Sequence, residues 1–114
     1  MLHWFDGRAA TALLPVAEVP ITLGGAARFN VSNALCAAAA AMHLGLGADA
    51  VRRGLREFTS DPASNPGRLN DFTLGGVRAL VDFAHTPHGM QALFDTAAAL
   101  PHERHVVLIG QAGD

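Results

Sequence analysis

Apolar residues are distributed in three ways along this chain, and each distribution predicts a different kind of element. Over residues 1–24 they come in short runs broken by turn formers. "LHWF" leads into Asp6-Gly7, a hairpin turn pair, and is followed by "TALLPVA" and "VPITL". Pro15 and Pro20 have no amide proton to give to a ladder, so these runs read as edge strands, and Gly24-Gly25 ends them. From about Asn30 the pattern becomes "NVSNALCAAAAAMHLGLG", rich in strong helix formers and stopped by Gly45 and Gly47. Asp49 is placed to cap a second helix, "AVRRGLREF". In it Val51, Leu55 and Phe58 recur at helical spacing and leave the arginines on the opposite face.

The third regime follows "TSDPASNPG", Thr59 to Gly67, a linker by composition that puts a boundary at 61–67 between segments 1–60 and 68–114. "RLNDFTL" and "VRALVDFA" flank Gly75-Gly76 and read as a two-residue hairpin. Thr86-Pro87 is a helix start, with Met90, Leu93, Phe94 and Ala97 as its inward stripe and Pro101 as its stop. "HVVLIG", His105 to Gly110, reads as a buried strand. Strand, helix and strand in that order predict a right-handed βαβ unit of a parallel sheet, so the fold class is α/β. One such unit with a hairpin cannot cover both faces of a parallel sheet, and "GQAGD" stands where another helix would begin. The expectation is a chain cut off at its C-terminal end.

Composition narrows the function. Half of the 114 residues are hydrophobic, enough for a packed core, and the net charge of −2 offers no grip on nucleic acid or anionic lipid. All eight basic residues are arginine, so no phosphate-loop lysine, Schiff-base lysine or lysine general base comes from this chain. Cys36 is the sole cysteine, excludes an internal disulfide, and reads as a small buried residue. The longest apolar stretch, Ala34 to Met42, is too short to span a bilayer, and no signal peptide is evident. A cytoplasmic protein is the default expectation.

Candidate chemistry concentrates at element ends. In open α/β sheets ligands sit beyond the carboxyl ends of strands, where "VDFAHTPHGM" places Asp82 and His85 beside a helix N-terminus. The alternative is that Asp82 caps a turn and His85 is a surface residue. Asn30 and Asn33 share one face of a helix start, and an asparagine amide matches the donor and acceptor pattern of an adenine edge. The alternative is an N-cap and a first-turn polar residue. Arg68, after the linker, offers a planar fork for phosphate or ribose oxygens, or is a solvated arginine. "HTPH" and "HERH" are poor metal patterns, and no Gly-x-Ser-x-Gly or Gly-x-Gly-x-x-Gly motif is present.

Four stretches together resemble the Mur ligase family of ATP-dependent amide ligases. "VPITLGGAARFNVSNALCAAAAAMHLGLG" resembles the His-Asn-x-x-Asn-Ala stretch at the end of the family's central ATP-binding domain. "NPGRLN" is similar to the Gly-Arg step that opens its C-terminal domain, and "VDFAHTPHGM" to its Asp-Tyr-Ala-His-Asn/Thr-Pro signature. "LIGQAGD" resembles its glycine-rich turn. Within the family the wording is most like the cyanophycin synthetase branch, with the peptidoglycan-precursor amino-acid ligases as the alternative.

The resemblance implies a fragment spanning two domains. Residues 1–60 would end a central domain of short strands plus two helices, 61–67 would be the linker, and 68–114 would begin a Rossmann-like domain of hairpin then βαβ. It implies ATP and magnesium as cofactors, and a carboxylate and an amino acid as substrates held mainly by other parts, with no nucleic acid and no membrane. The acid is activated as an acyl phosphate, and an amine then attacks it. By position Asn33 and Asn30 would contact adenine, Arg68 and Asp82 the ribose, and His85 would lie near the nucleotide. Phe29 stands where many members have histidine, and Phe83 replaces the usual tyrosine. The family's phosphate loop, magnesium-binding glutamate and modified lysine are not in these residues, so the expectation is a piece inactive alone. A non-catalytic nucleotide-binding or interaction module is the alternative from another class.

Overall fold

A computed structural model of the chain describes residues 1–110. The described residues form a small α/β structure with two separate two-stranded antiparallel sheets. The first pairs β1 (His3–Phe5) with β2 (Ala10–Ala12) across the expected turn at Asp6-Gly7. Asp6 closes that turn by accepting from the amides of Arg8 at 2.7 Å and Ala9 at 2.8 Å. These two amides, Ala9 first, hold its carboxyl below the usual range.

"VPITL" is not a strand. Val16–Glu18 and Pro20–Gly25 wind as 3₁₀ turns, and only Thr11 and Ala12 of "TALLPVA" lie in a sheet. The buried Thr22 decides this. Its hydroxyl donates to the carbonyls of Val16 and Val19, both at 2.8 Å, which folds the run back on itself. A local side-chain bond of this kind competes directly with a ladder. Thr22 O then accepts from Ala27 N–H at 2.9 Å and starts α1 (Arg28–His43), two residues before the sequence pattern places it.

Helix α2 (Ala48–Glu57) begins from Gly47 as its cap, and Asp49 lies in its first turn. Arg52 ties it to the first sheet by donating to Ala12 O at 2.6 Å and Leu13 O at 3.3 Å. Inside these elements Leu2, Leu13, Leu14, Val19, Ala34, Ala38 and Val51 form the core. Phe58, expected on the inner face of α2, is its exposed C-cap instead. Cys36 is likewise exposed, because Ala34 and Ala38 take the inward positions of α1.

Beyond the linker the packing changes. Strands β3 (Asn70–Leu74) and β4 (Val77–Val81) form the expected hairpin, with Gly75 and Gly76 both at positive φ as a type I′ turn requires. Thr86 caps α3 (Pro87–Ala99) by accepting from Gly89 N–H at 3.1 Å. Of the expected stripe Met90, Leu93 and Ala97 are half-buried and Phe94 is exposed, while Thr96 is the buried residue of the helix. After Glu57 only Leu69, Asn70 and Thr96 are buried among the described residues.

The predicted second strand of a βαβ unit is absent among the described residues. His105–Gly110 is irregular and exposed, with Leu108 at 95 % exposure, and no ladder joins it to the hairpin. Apolar content does not make a strand without a neighbour to bond and a layer to cover it. The glycine-rich turn at 111–114 lies outside the described residues.

Two outcomes follow from this uneven packing. Leu14→Ala lowers stability by about 2–4 kcal/mol in urea denaturation, whereas Leu108→Ala stays within about 0.5 kcal/mol of the parent. The Cys36 thiol reacts with a disulfide reagent in the native protein as fast as in urea; slow native labelling contradicts its exposure.

Candidate functional site

The hairpin register builds the first half of the site. Asn70 pairs with Val81, so one step further Leu69 and Asp82 meet at the open end of the hairpin. There Leu69 N–H donates to Asp82 Oδ2 at 2.8 Å, and Phe83 N–H donates to Gly67 O at 2.8 Å. On the other flank Gly67 N–H donates to Asn70 Oδ1 at 2.7 Å, and the Ser60 hydroxyl donates to Arg68 O. Asn70, 2 % exposed, also donates from Nδ2 to Ser60 O and Asn65 O, both at 2.9 Å.

Arg68 sits in the middle of this net. Gly67 and Leu69 on its two sides have φ of 67° and 49°. Gly67 takes a left-handed conformation without a Cβ penalty, but Leu69 carries about 1–2 kcal/mol of strain. Burial of its side chain and the bond to Asp82 hold it there. The Arg68 side chain is exposed and makes no hydrogen bond or ion pair among the described residues.

His85 lies past Phe83. Its Nδ1 donates to Phe83 O at 3.0 Å, which leaves Nε2 as an acceptor in the neutral ring. The Phe83 and His85 rings stand 5.3 Å apart and tilted by 45°. Asp82 is thus bonded to the residue that follows Arg68, with no ion pair to the Arg68 side chain itself among the described residues, and His85 lies three residues further along the chain.

The asparagines form a second group in the first two turns of α1. Asn30 is buried and donates from Nδ2 to Ile21 O at 2.8 Å, while its Oδ1 accepts from Asn33 Nδ2 at 3.1 Å. Its amide is therefore engaged on both sides. Asn33 is exposed, and its carbonyl oxygen has no partner among the described residues. Ala27, not Asn30, is the N-cap. No hydrogen bond joins the two groups among the described residues.

Two clefts among the described residues are not lined by Asn30, Asn33, Arg68, Asp82 or His85. A cleft of about 310 Å³ lies between Gly25–Phe29 and α3. Another of about 290 Å³ lies between the Pro20 turn and the linker. Of the expected site residues Asn33, Arg68 and His85 are exposed, Asp82 is half-buried and Asn30 is buried, an arrangement suited to a ligand held against a face and not to one enclosed in a cleft. Asn70, Ser60 and Leu69 were not among them. The signal for Asn70 is a polar residue opening an otherwise alternating strand, directly after a Gly-Arg turn.

No family model matches the chain. It is 42 % identical over 96 residues to a cyanophycin synthetase from Synechocystis, a match covering 84 % of this chain and 11 % of that protein. It is 34 % identical over 113 residues to a UDP-N-acetylmuramoyl-L-alanyl-D-glutamate–2,6-diaminopimelate ligase from Geobacter metallireducens, covering 96 % of this chain and 21 % of the relative. It is 40 % identical over 100 residues to a UDP-N-acetylmuramyl-tripeptide synthetase from Deinococcus radiodurans, covering 85 % and 19 %. The chain therefore spans about a tenth to a fifth of the length of these curated relatives.

The linker that frames Arg68 is sensitive to acid. Asp61 accepts from the amides of Ala63 and Ser64, both at 2.9 Å, and from the Ser64 hydroxyl. The Ser64 hydroxyl first, then its amide, holds the Asp61 carboxyl below the usual 3.8. The stabilisation is present in full above that value and is lost as pH falls through the lower, folded value. In an NMR titration the Ala63 and Ser64 amide shifts therefore move with a midpoint below 3.8. A midpoint above it contradicts the turn.

Proposed function

We infer the function of this chain from one premise: it belongs to the Mur ligase family, with its relatives among cyanophycin synthetases and the ligases of peptidoglycan precursors. The proposal is that these residues supply the adenine and ribose contacts of an ATP-dependent amide ligase. In this reading residues 1–60 end the central ATP-binding domain, 61–67 link, and 68–114 open the Rossmann-like C-terminal domain. The overall reaction joins a carboxylate to an amino acid. The γ-phosphoryl group passes from ATP to the acid, the amine attacks the acyl phosphate, and ADP, phosphate and an amide result.

The observation that carries the reading is the bond that ties Asp82 to the backbone turn presenting Arg68. One Asp82 oxygen is bonded to Leu69 N–H, and the other is left without a partner among the described residues. A free carboxylate oxygen, bonded through its partner oxygen to the residue next to an arginine unpaired among the described residues, suits a ribose: the first would accept from its hydroxyls and the guanidinium would donate to its oxygens. Asn33, held by Asn30, would meet the adenine edge; Asn30 then acts by orienting it. His85 would stand by the nucleotide with Nε2 open. Phe29, where the family's histidine is usual, lines a cleft beside Arg28 and offers phosphate nothing of its own.

In this reading the ligands of magnesium lie mostly outside these residues. Among the described residues no three His, Cys, Asp or Glu side chains are grouped to hold a cation. With no lysine, the phosphates would be handled by parts of the ligase other than these 114 residues. No helix of the described residues is long and apolar enough to cross a membrane, and the proposal places the ligase in the cytoplasm.

Titration of the chain with ADP, followed by amide NMR, tests the reading. Saturable shifts are expected at Asn33, Arg68, Asp82 and His85, with affinity near millimolar, or ~4 kcal/mol. Shifts elsewhere, or none, contradict it. The same preparation releases no phosphate from ATP in the presence of carboxylate and amine. In a full-length ligase containing this segment, Arg68→Ala raises KM for ATP about tenfold or more, the loss of one charge-assisted contact.

A further inference from the structure

The four hydrogen bonds around Arg68 point to a role for a residue that touches no ligand. Gly67 N–H is held by Asn70 Oδ1, Gly67 O by Phe83 N–H, Arg68 O by the Ser60 hydroxyl, and Leu69 N–H by Asp82 Oδ2. The backbone of Arg68 is thus pinned on both sides while its side chain is left in solvent. Left-handed φ values at Gly67 and Leu69 make that backbone path one the chain does not adopt unaided. Three segments supply the pins, and Asn70 unites two of them. Its single amide holds Gly67 directly and fixes Ser60 and Asn65 through their carbonyls at 2.9 Å, which sets where the Ser60 hydroxyl meets Arg68.

We propose that Asn70 is a positioning residue that aims Arg68 at the nucleotide, with Asp82 sharing the task through Leu69 while its second oxygen takes the ribose. This rests on the nucleotide reading above. A long arginine gains contact energy only if its stem starts from a fixed point, because a mobile backbone adds ordering entropy to every bond the guanidinium forms. Asn70 is buried at the first position of β3, where a strand has no need of an amide for its own ladder. Its three bonds all run to the turn that presents Arg68.

A double-mutant cycle in the whole chain tests this, with ADP as the probe. Arg68→Ala is expected to weaken binding about tenfold. Asn70→Ala is expected to weaken it by a similar factor, and the double variant by no more than either one alone. Val51→Ala, a core substitution remote from the turn, is the control for lost stability and leaves the affinity unchanged. If Asn70→Ala lowers the melting temperature but leaves affinity at the wild-type value, or if the two losses add, the positioning role is overturned while the nucleotide reading stands. If wild-type chain shows no saturable ADP binding, the nucleotide reading fails first and the aim of Arg68 has no object. Whether wild type binds separates the two failures.

Discussion

The second half of this molecule depends on one buried amide. From Thr59 to Asp82 the chain has almost no apolar interior, since Leu69 is its only buried hydrophobic residue. Order there must come from polar groups whose bonds are shielded from water. Asn70 supplies it, satisfying one amide and two carbonyls from a single side chain. Because a buried polar group left unpaired costs ~1–3 kcal/mol, the linker and the hairpin base hold together or come apart together. The strained Leu69, the exposed Arg68 and the bond to Asp82 all hang on that frame.

The first half is held in another way. Leu2, Leu14 and Val19 are packed against the small residues Ala34 and Ala38 of α1, and Thr22 folds the chain into α1 through bonds to its own backbone. This positions Asn30 to bond Ile21 O and, in turn, Asn33. Each group of candidate residues is therefore mounted on its own rigid support, one apolar and one polar, on either side of the linker. In the ligase reading the adenine edge and the ribose are met by different supports. Asn33 and Arg68 are exposed while the asparagines that fix their surroundings, Asn30 and Asn70, are buried, a division that leaves donors and acceptors free without leaving their backbones loose.

Much of this was legible in the chain because it depends on local rules. Gly75-Gly76 between alternating strands required a type I′ hairpin, and Thr86-Pro87 required a capped helix start. The alanine-rich run could hardly be anything but helix. The family followed from four ordered stretches, which matched known ligases over most of the chain. Arg68 and Asp82 were found as separate motif residues, but the bond of Asp82 to the turn that presents Arg68 needed the hairpin register, which brings together Leu69 and Asp82, thirteen residues apart.

What the chain alone determined, then, was the set of short-range elements and the family, since both are written in neighbouring residues. Tertiary structure decided everything that depends on a distant partner. "VPITL" became 3₁₀ because the Thr22 hydroxyl reached back six residues to Val16. "HVVLIG" stayed irregular because a strand exists only against a neighbour, and Cys36 faced water because Ala34 and Ala38 already filled the inward side of α1. The role of Asn70 was hidden for the same reason. An asparagine opening a strand looks solvated until three carbonyl and amide groups from other segments close around it.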